Sequence, residues 1–119
     1  MATSKPALIG IIPARYGSTR FPGKPLALIG GIPMIARVVE RVQSSKVFDH
    51  ILVATDDERI AGAAKLAGAE VAMTSSDIQN GTLRSHAALV EWERESGRAA
   101  HWIINIQGDE PFEIGRAHV

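Results

Sequence analysis

Apolar and polar positions along this chain follow two rhythms. Short runs rich in β-branched residues alternate with segments whose apolar residues recur every three or four positions, and the order reads βαβαβαβ. Leu8 to Ile12 predicts a first strand. After a long loop, Gly30-Gly31 predicts a turn, and Pro33 suits the first position of a helix that carries Ile35, Val38, Val39 and Val42 inward and Arg37, Glu40 and Arg41 outward. His50 to Thr55 predicts a second strand, with Asp56 or Asp57 as cap of a helix that runs to about Ala67 and stops at Gly68. Glu70 to Met73 is the third strand; a polar stretch from Thr74 to Gly81 then leads into a helix from about Thr82 to Ser96, stopped by Gly97. Trp102 to Ile106 is the fourth strand. This alternation implies an α/β layered fold with a mostly parallel sheet and flanking helices.

In such a sheet, ligands bind in the crevice beyond the carboxyl ends of the strands. Four segments fall there: Arg15 to Lys24, Thr55-Asp56-Asp57, Thr74 to Arg84, and Gln107 to Pro111. The first is the richest. Pro13 to Leu26 reads P-A-R-Y-G-S-T-R-F-P-G-K-P-L, with Arg15, Arg20 and Lys24 as cations, Gly17 and Gly23 as permissive backbone positions, and Pro22 and Pro25 as stiffeners. A buried strand that feeds such a loop ahead of a helix builds a cradle for phosphates from amide N–H groups and positive side chains. It matches neither G-x-x-x-x-G-K-[ST], because Pro25 follows Lys24, nor G-x-G-x-x-G. A solvated basic turn is the plainer alternative.

Composition narrows the partners. The 119 residues are 45% hydrophobic and 22% charged, with 13 basic against 13 acidic side chains. That balance gives no reason to expect nucleic acid or an acidic membrane as partner, so the first loop's cations are a local device. With no cysteine, disulfides and thiolate metal sites are excluded. The polar start, Met1 to Pro6, and the short apolar run after it match neither a signal peptide nor a membrane span, which makes the cytoplasm the expected location. His50, His86, His101 and His118 lack metal-ligand spacing and read as exposed or capping residues, Trp92 and Trp102 read as core or interface filling, and no serine has the G-x-S-x-G context of a hydrolase nucleophile.

Two further constellations carry chemistry. Asp109, in Gln107-Gly108-Asp109-Glu110-Pro111, follows a buried strand end, where a carboxylate facing a phosphate cradle suits Mg²⁺; a simple polar turn before Pro111 is the alternative. Asn80-Gly81-Thr82-Leu83-Arg84 opens a helix whose free amides, with Arg84, make a second anion or base-edge site; an ordinary cap with a surface arginine is the alternative.

The segment I-I-P-A-R-Y-G-S-T-R-F-P-G-K-P-L resembles the opening signature of the 3-deoxy-manno-octulosonate (Kdo) cytidylyltransferases, or CMP-Kdo synthetases, within the nucleotidyltransferase superfamily. Sialate cytidylyltransferases open similarly but carry a different stretch between the arginine and P-G-K. Ile104-Asn105-Ile106-Gln107-Gly108-Asp109-Glu110-Pro111 is similar to the family's second signature, V-N-V-Q-G-D-E-P, whose aspartate is a metal ligand. Val53 to Glu58, V-A-T-D-D-E, also matches, and Asp56 is read mainly as a helix cap. The family's D-H-x-S-G-T-[DE]-R contacts cytosine and ribose; this chain keeps Asp77, Gly81, Thr82 and Arg84 but has Ile78, Asn80 and Leu83 at the other places, departures that bear on base recognition and on which sugar acid is served.

The resemblance covers residues 8 to 112 and implies the N-terminal portion of a Rossmann-like nucleotidyltransferase fold. It implies attack by the anomeric hydroxyl of Kdo on the α-phosphorus of CTP, giving CMP-Kdo and pyrophosphate for lipopolysaccharide synthesis. Arg15 and Lys24 would hold the triphosphate and Asp109 the Mg²⁺, these being the expected catalytic residues. Pro13, Ala14, Arg15, Tyr16, Gly17, Ser18, Lys24, Asn80, Gly81, Thr82, Arg84 and Gln107 would line the nucleotide. Family chains continue with sugar-acid contacts, a further metal carboxylate and much of a homodimer interface. Ile114 to Val119 matches nothing in the family and is what ATC-GGA-AGA-GCA-CAC-GTC, a string like a sequencing adapter, would encode. The expectation is therefore part of one domain over 1–113, a foreign tail over 114–119, and an inactive nucleotide-binding fragment as written. Another sugar-acid nucleotidyltransferase, or a non-catalytic binding module, stays open as an alternative.

Overall fold

The structure, a computed structural model, describes residues 8–17, 22–78, 80–98 and 102–106. In chain order its elements are β1 (Leu8–Pro13), a single 3₁₀ turn (Lys24–Leu26), β2 (Leu28–Ile29), β3 (Ile32–Pro33), α1 (Met34–Ser44), β4 (His50–Thr55), α2 (Glu58–Leu66), β5 (Glu70–Met73), α3 (Gly81–Ser96) and β6 (Trp102–Asn105). The alternation expected from sequence is present, with a small hairpin added.

β1, β4, β5 and β6 pair in parallel in the order β5-β4-β1-β6. The chain therefore steps outward from β1 to β4 to β5, then returns across the sheet to the far side of β1. A right-handed crossover places its helix on one face when the chain steps one way and on the opposite face when it steps back. The two cores obey this. Val38, Val39 and Val42 of α1 and Ile60 and Ala64 of α2 pack with Ile12, Val53 and Ile104 on one face, whereas Ala88 and Trp92 of α3 pack with Ile9, Ile11, Leu52, Ala54 and Ala72 on the other. Side chains alternate between the faces along β1 and β4, as the twofold period of a strand requires.

The helix ends account for small shifts from expectation. Pro33 stands at the N-cap of α1 with extended geometry, φ −56° and ψ 142°, rather than at its first turn, because it still pairs with Leu28 in the hairpin. The turn Gly30-Gly31 joins β2 to β3, and both residues have positive φ, 60° and 83°, as tight two-residue hairpins demand. The hairpin is fastened to α1 by Arg37, whose Nε and Nη2 both donate to the Ile29 carbonyl at 3.1 Å. Asp57, not Asp56, caps α2: its carboxylate accepts from the amides of Arg59 at 2.8 Å and Ile60 at 3.2 Å. α3 begins one residue earlier than expected, at Gly81, with Asn80 as cap and Gly97 at φ 70° as stop.

Candidate functional site

β1 is the strand at which the order of the sheet reverses, and a reversal opens a crevice between the diverging connections. The residues that leave β1 are Ala14, Arg15, Tyr16 and Gly17. Beside them β6 continues its ladder by one bond, the Ile106 amide donating to the Ile11 carbonyl at 2.9 Å, so Ile106 lies at the same edge. Gly81, the first residue of α3, abuts this place too: a side chain there would begin 3.2 Å from Pro13 Cγ. Of the four segments expected to share one edge, the described parts of Arg15 to Lys24 and of Thr74 to Arg84 are thus brought together at the end of β1, while Gln107 to Pro111 lie outside the described residues.

Thr55-Asp56-Asp57 joins them through hydrogen bonds. Ala14 donates its amide to the Ala54 carbonyl at 2.8 Å, and the Tyr16 amide donates to Asp56 Oδ1 at 3.2 Å. The loop after β1 is therefore tied to the loop after β4, and Asp56, expected to cap a helix, instead orients that backbone. The Gly23 amide closes the neck of the first loop by donating to the Tyr16 carbonyl at 2.7 Å, which brings the start of the Lys24–Leu26 turn back to Tyr16.

Arg84 is 1% exposed, so the surface arginine considered from sequence does not describe it. Its guanidinium is turned into the Thr74–Ile78 loop, where Nη1 donates to the Thr74 hydroxyl and to the Ser75 carbonyl at 3.2 Å, and Nη2 donates to the Ile78 carbonyl at 2.9 Å. Burial lowers its pKa, the Asp56 carboxylate opposes that, and the charge of Arg15 adds to the lowering. Arg15, Asp56 and Arg84 thus sense one another at the mouth of β1.

The three departures from the family pattern have structural counterparts. Asn80 Oδ1 accepts the Leu83 amide at 2.8 Å, a capping role that serine fills equally well. Ile78 serves Arg84 through its backbone carbonyl, which any residue supplies. Leu83 is 56% exposed and makes the first turn of α3 free of acid.

Arg59 was not anticipated. It is held by Asp57 through Nε–Oδ1 at 3.2 Å and Nη2–Oδ2 at 2.9 Å, and its guanidinium lies 4.3 Å from the centre of the Tyr16 ring. The hydrogen bond with Asp57 foremost, and then the neighbouring Tyr16, raises the Arg59 pKa; in return Arg59 holds the Asp57 carboxyl below its ordinary range. Of the other expectations, Trp92 is buried as core, whereas His50 is half-buried and paired with Glu70 Oε2 at 2.7 Å rather than exposed or capping. Ser18, Gln107, Asp109, Trp102's side chain and the 114–119 tail lie outside the described residues. Among the described residues no helix is long and apolar enough to cross a membrane.

The cytidylyltransferase family profile matches residues 9–113. The chain belongs to that family. Among curated relatives, this cytidylyltransferase chain is 54% identical over 104 residues to the 3-deoxy-manno-octulosonate cytidylyltransferase of Phocaeicola vulgatus, covering 87% of this chain and 39% of the relative. It is 52% identical over 105 residues to the mitochondrial 3-deoxy-manno-octulosonate cytidylyltransferase of Arabidopsis thaliana, covering 88% and 35%. A solved CMP:2-keto-3-deoxy-manno-octonic acid synthetase complexed with CTP superposes with a TM-score of 0.76 at 43% identity, over 90% of this chain and 42% of that one. The chain thus spans about two fifths of the length of these relatives. The Kdo cytidylyltransferase resemblance and the Rossmann-like fold are both upheld.

Proposed function

We propose that the intact protein transfers a cytidylyl group from CTP to the anomeric hydroxyl of Kdo, forming CMP-Kdo and pyrophosphate, in the cytoplasm and for lipopolysaccharide synthesis. One observation carries this reading above the others: the residues that match the family's opening signature, Ala14 to Gly17, leave β1 at the point where the order of the sheet reverses. The identity to Kdo cytidylyltransferases, at about half of the aligned positions, supports Kdo as the sugar acid.

Transfer of this kind needs placement and charge neutralisation more than a covalent catalyst. Arg15 and Lys24 supply positive charge to the triphosphate, with the backbone amides of Arg15, Gly17 and Ser18 assisting, since those of Ala14 and Tyr16 are given to Ala54 and Asp56, and Pro13, Ala14, Tyr16 and Gly17 shape the floor beneath it. Asn80, Gly81 and Thr82, at the start of α3, meet the cytidine, and Arg84 acts on the same side by fixing the Thr74–Ile78 loop. Gln107 completes the nucleotide's surroundings from beyond β6.

Among the described residues no three His, Asp or Glu side chains gather to hold a metal. Mg²⁺ is held by one or two carboxylates when phosphate oxygens and water complete its shell, so Asp109, three residues after Ile106 in the sequence, would be one protein donor. Bound there, Mg²⁺ would neutralise charge on the phosphate oxygens. A homodimer is the proposed assembly of the intact protein.

The test is direct. Full-length protein incubated with CTP, Mg²⁺ and Kdo should release pyrophosphate and yield CMP-Kdo by mass spectrometry, and should lose this on chelation. Pyrophosphate release with N-acetylneuraminate but not with Kdo would overturn the choice of sugar acid. CTP binding without release for any sugar acid would make the protein a binding module.

A further inference from the structure

Tyr16 is gripped from several sides. Its amide is held by Asp56, its carbonyl by the Gly23 amide, and its ring lies beneath Arg59. Gly23 approaches the same ring so closely that a side chain would begin 3.0 Å from Cε1 and 3.2 Å from Cζ. Its φ of 75° lies in the left-handed region that favours glycine. The two ends of the first loop therefore meet at a neck formed by Tyr16 and Gly23.

Arg59 belongs to α2, which comes later in the chain and has its own cap, so nothing in helix formation requires Arg59 to reach Tyr16. Its side chain is 62% exposed, yet two hydrogen bonds to Asp57, itself fixed as the α2 cap, hold the guanidinium plane in place. A planar cation held in this way over a tyrosine face restrains the ring without burying anything.

We propose that Arg59 is a positioning residue of the nucleotide site: by stacking on Tyr16 it keeps the Tyr16–Gly23 neck closed, and so fixes where the Ala14–Gly17 backbone meets the phosphates of the nucleotide. The identity of the ligand rests on the cytidylyl-transfer reading; the closed neck does not. Nothing else about Arg59 needs to touch the nucleotide, and its action is entirely through Tyr16.

Because Arg59 is exposed, its replacement leaves the core intact, and the experiment separates placement from folding. Exchange of the Gly23 amide with solvent is followed by NMR in the ligand-free intact protein for the parent, Arg59→Ala and Arg59→Lys, and CTP affinity is measured by calorimetry with Mg²⁺ present. Arg59→Ala should speed Gly23 exchange by about two- to fivefold and weaken CTP binding by a similar factor, the size of an exposed cation–π contact. The thermal midpoint should move little. Arg59→Lys, which keeps charge but loses the planar fork, should fall between. Gly23 exchange unchanged in Arg59→Ala would overturn the proposal, as would faster exchange with CTP affinity unaltered. Should the parent protein fail to bind CTP, the transfer reading falls, while the exchange comparison still decides whether Arg59 holds the neck.

Discussion

The Tyr16 amide donates to Asp56 Oδ1 at 3.2 Å across 40 residues of sequence, and this bond fastens the loop leaving β1 to the loop leaving β4. A carboxylate that accepts a backbone N–H in a partly buried setting contributes more than a neutral acceptor. Asp56→Ala should therefore lower stability by about 1–2 kcal/mol in urea unfolding. It should also weaken CTP binding, since the backbone it orients is the segment proposed to hold the phosphates. A variant with altered stability and parental CTP affinity would show that Asp56 serves the fold alone.

Arg84 supports the opposite wall. Truncating it to alanine would leave the Thr74 hydroxyl and the Ser75 and Ile78 carbonyls without their donor and would open space under α3. Such losses at a buried charged group cost about 3 kcal/mol. The expected result is a large drop in the urea midpoint for Arg84→Ala, with a smaller one for Arg84→Lys, which can reach some of these oxygens but lacks the fork. Equal stability of Arg84→Ala and the parent would contradict the clamp.

Asp57 gives the α2 end a dependence on pH. Arg59 and the amides of Ile60 and Arg59 hold its carboxyl below the ordinary value of 3.8, against the opposing effect of partial burial. A group depressed in the folded state stabilises above its unfolded pKa and loses that contribution as pH falls through the folded one. Between pH 5 and pH 2, by order of magnitude, the parent should therefore lose stability faster than Asp57→Asn, whose amide can still cap the helix. Asp57→Ala, which lacks a cap, should be about 1 kcal/mol less stable at pH 7. Parallel stability–pH curves for the parent and Asp57→Asn would refute the assignment.

Much of this could be read from residues, and the exceptions have identifiable causes. β1, β4 and β5 carry apolar runs with clear ends, and α1 places Ile35, Val38, Val39 and Val42 inward as its period demands. The β2–β3 hairpin escaped because strands of two residues carry no period. Asp56 and Asp57 are adjacent and chemically alike. What separates their roles is backbone conformation, with Asp57 extended at φ −124° and ψ 126° ahead of the helix while Asp56 turns toward Tyr16. Arg84 was legible as part of a site, but not as a buried clamp, because a helix start does not reveal that the preceding loop folds back over it. Arg59 left no local signal at all, since its partner ring lies 43 positions earlier and is brought near only by the sheet order.

Gly10 shows how tightly the sheet is covered where β1 meets β6. A side chain there would begin 2.9 Å from Ile106 Cδ1 and 3.0 Å from Phe48 Cδ1. Gly10→Ala should therefore be overpacked and lose about 1–3 kcal/mol. The Ile106 contact is with the far end of a side chain, so Gly10→Ala combined with Ile106→Val should recover part of that loss. Thermal unfolding of the two single variants and the double variant would measure the coupling. Strict additivity would mean that the clash is relieved elsewhere.

Leu83 offers a test on the gain side. It stands in the first turn of α3, 56% exposed, where no acidic residue faces the positive end of the helix dipole, and the Kdo cytidylyltransferase pattern carries an acid at this place. A carboxylate in that turn stabilises a helix by about 0.3–1 kcal/mol, and exposure of Leu83 means little packing is lost in the exchange. Leu83→Glu should thus raise the thermal midpoint modestly, with the gain shrinking in high salt because a surface charge–dipole interaction is screened. Its effect on nucleotide binding separates two roles for this turn. A weaker affinity for CTP in Leu83→Glu, despite higher stability, would mean that the apolar residue is used against the ligand; an unchanged or tighter affinity would mean that the site tolerates the family's acid and that Leu83 is a substitution at the rim.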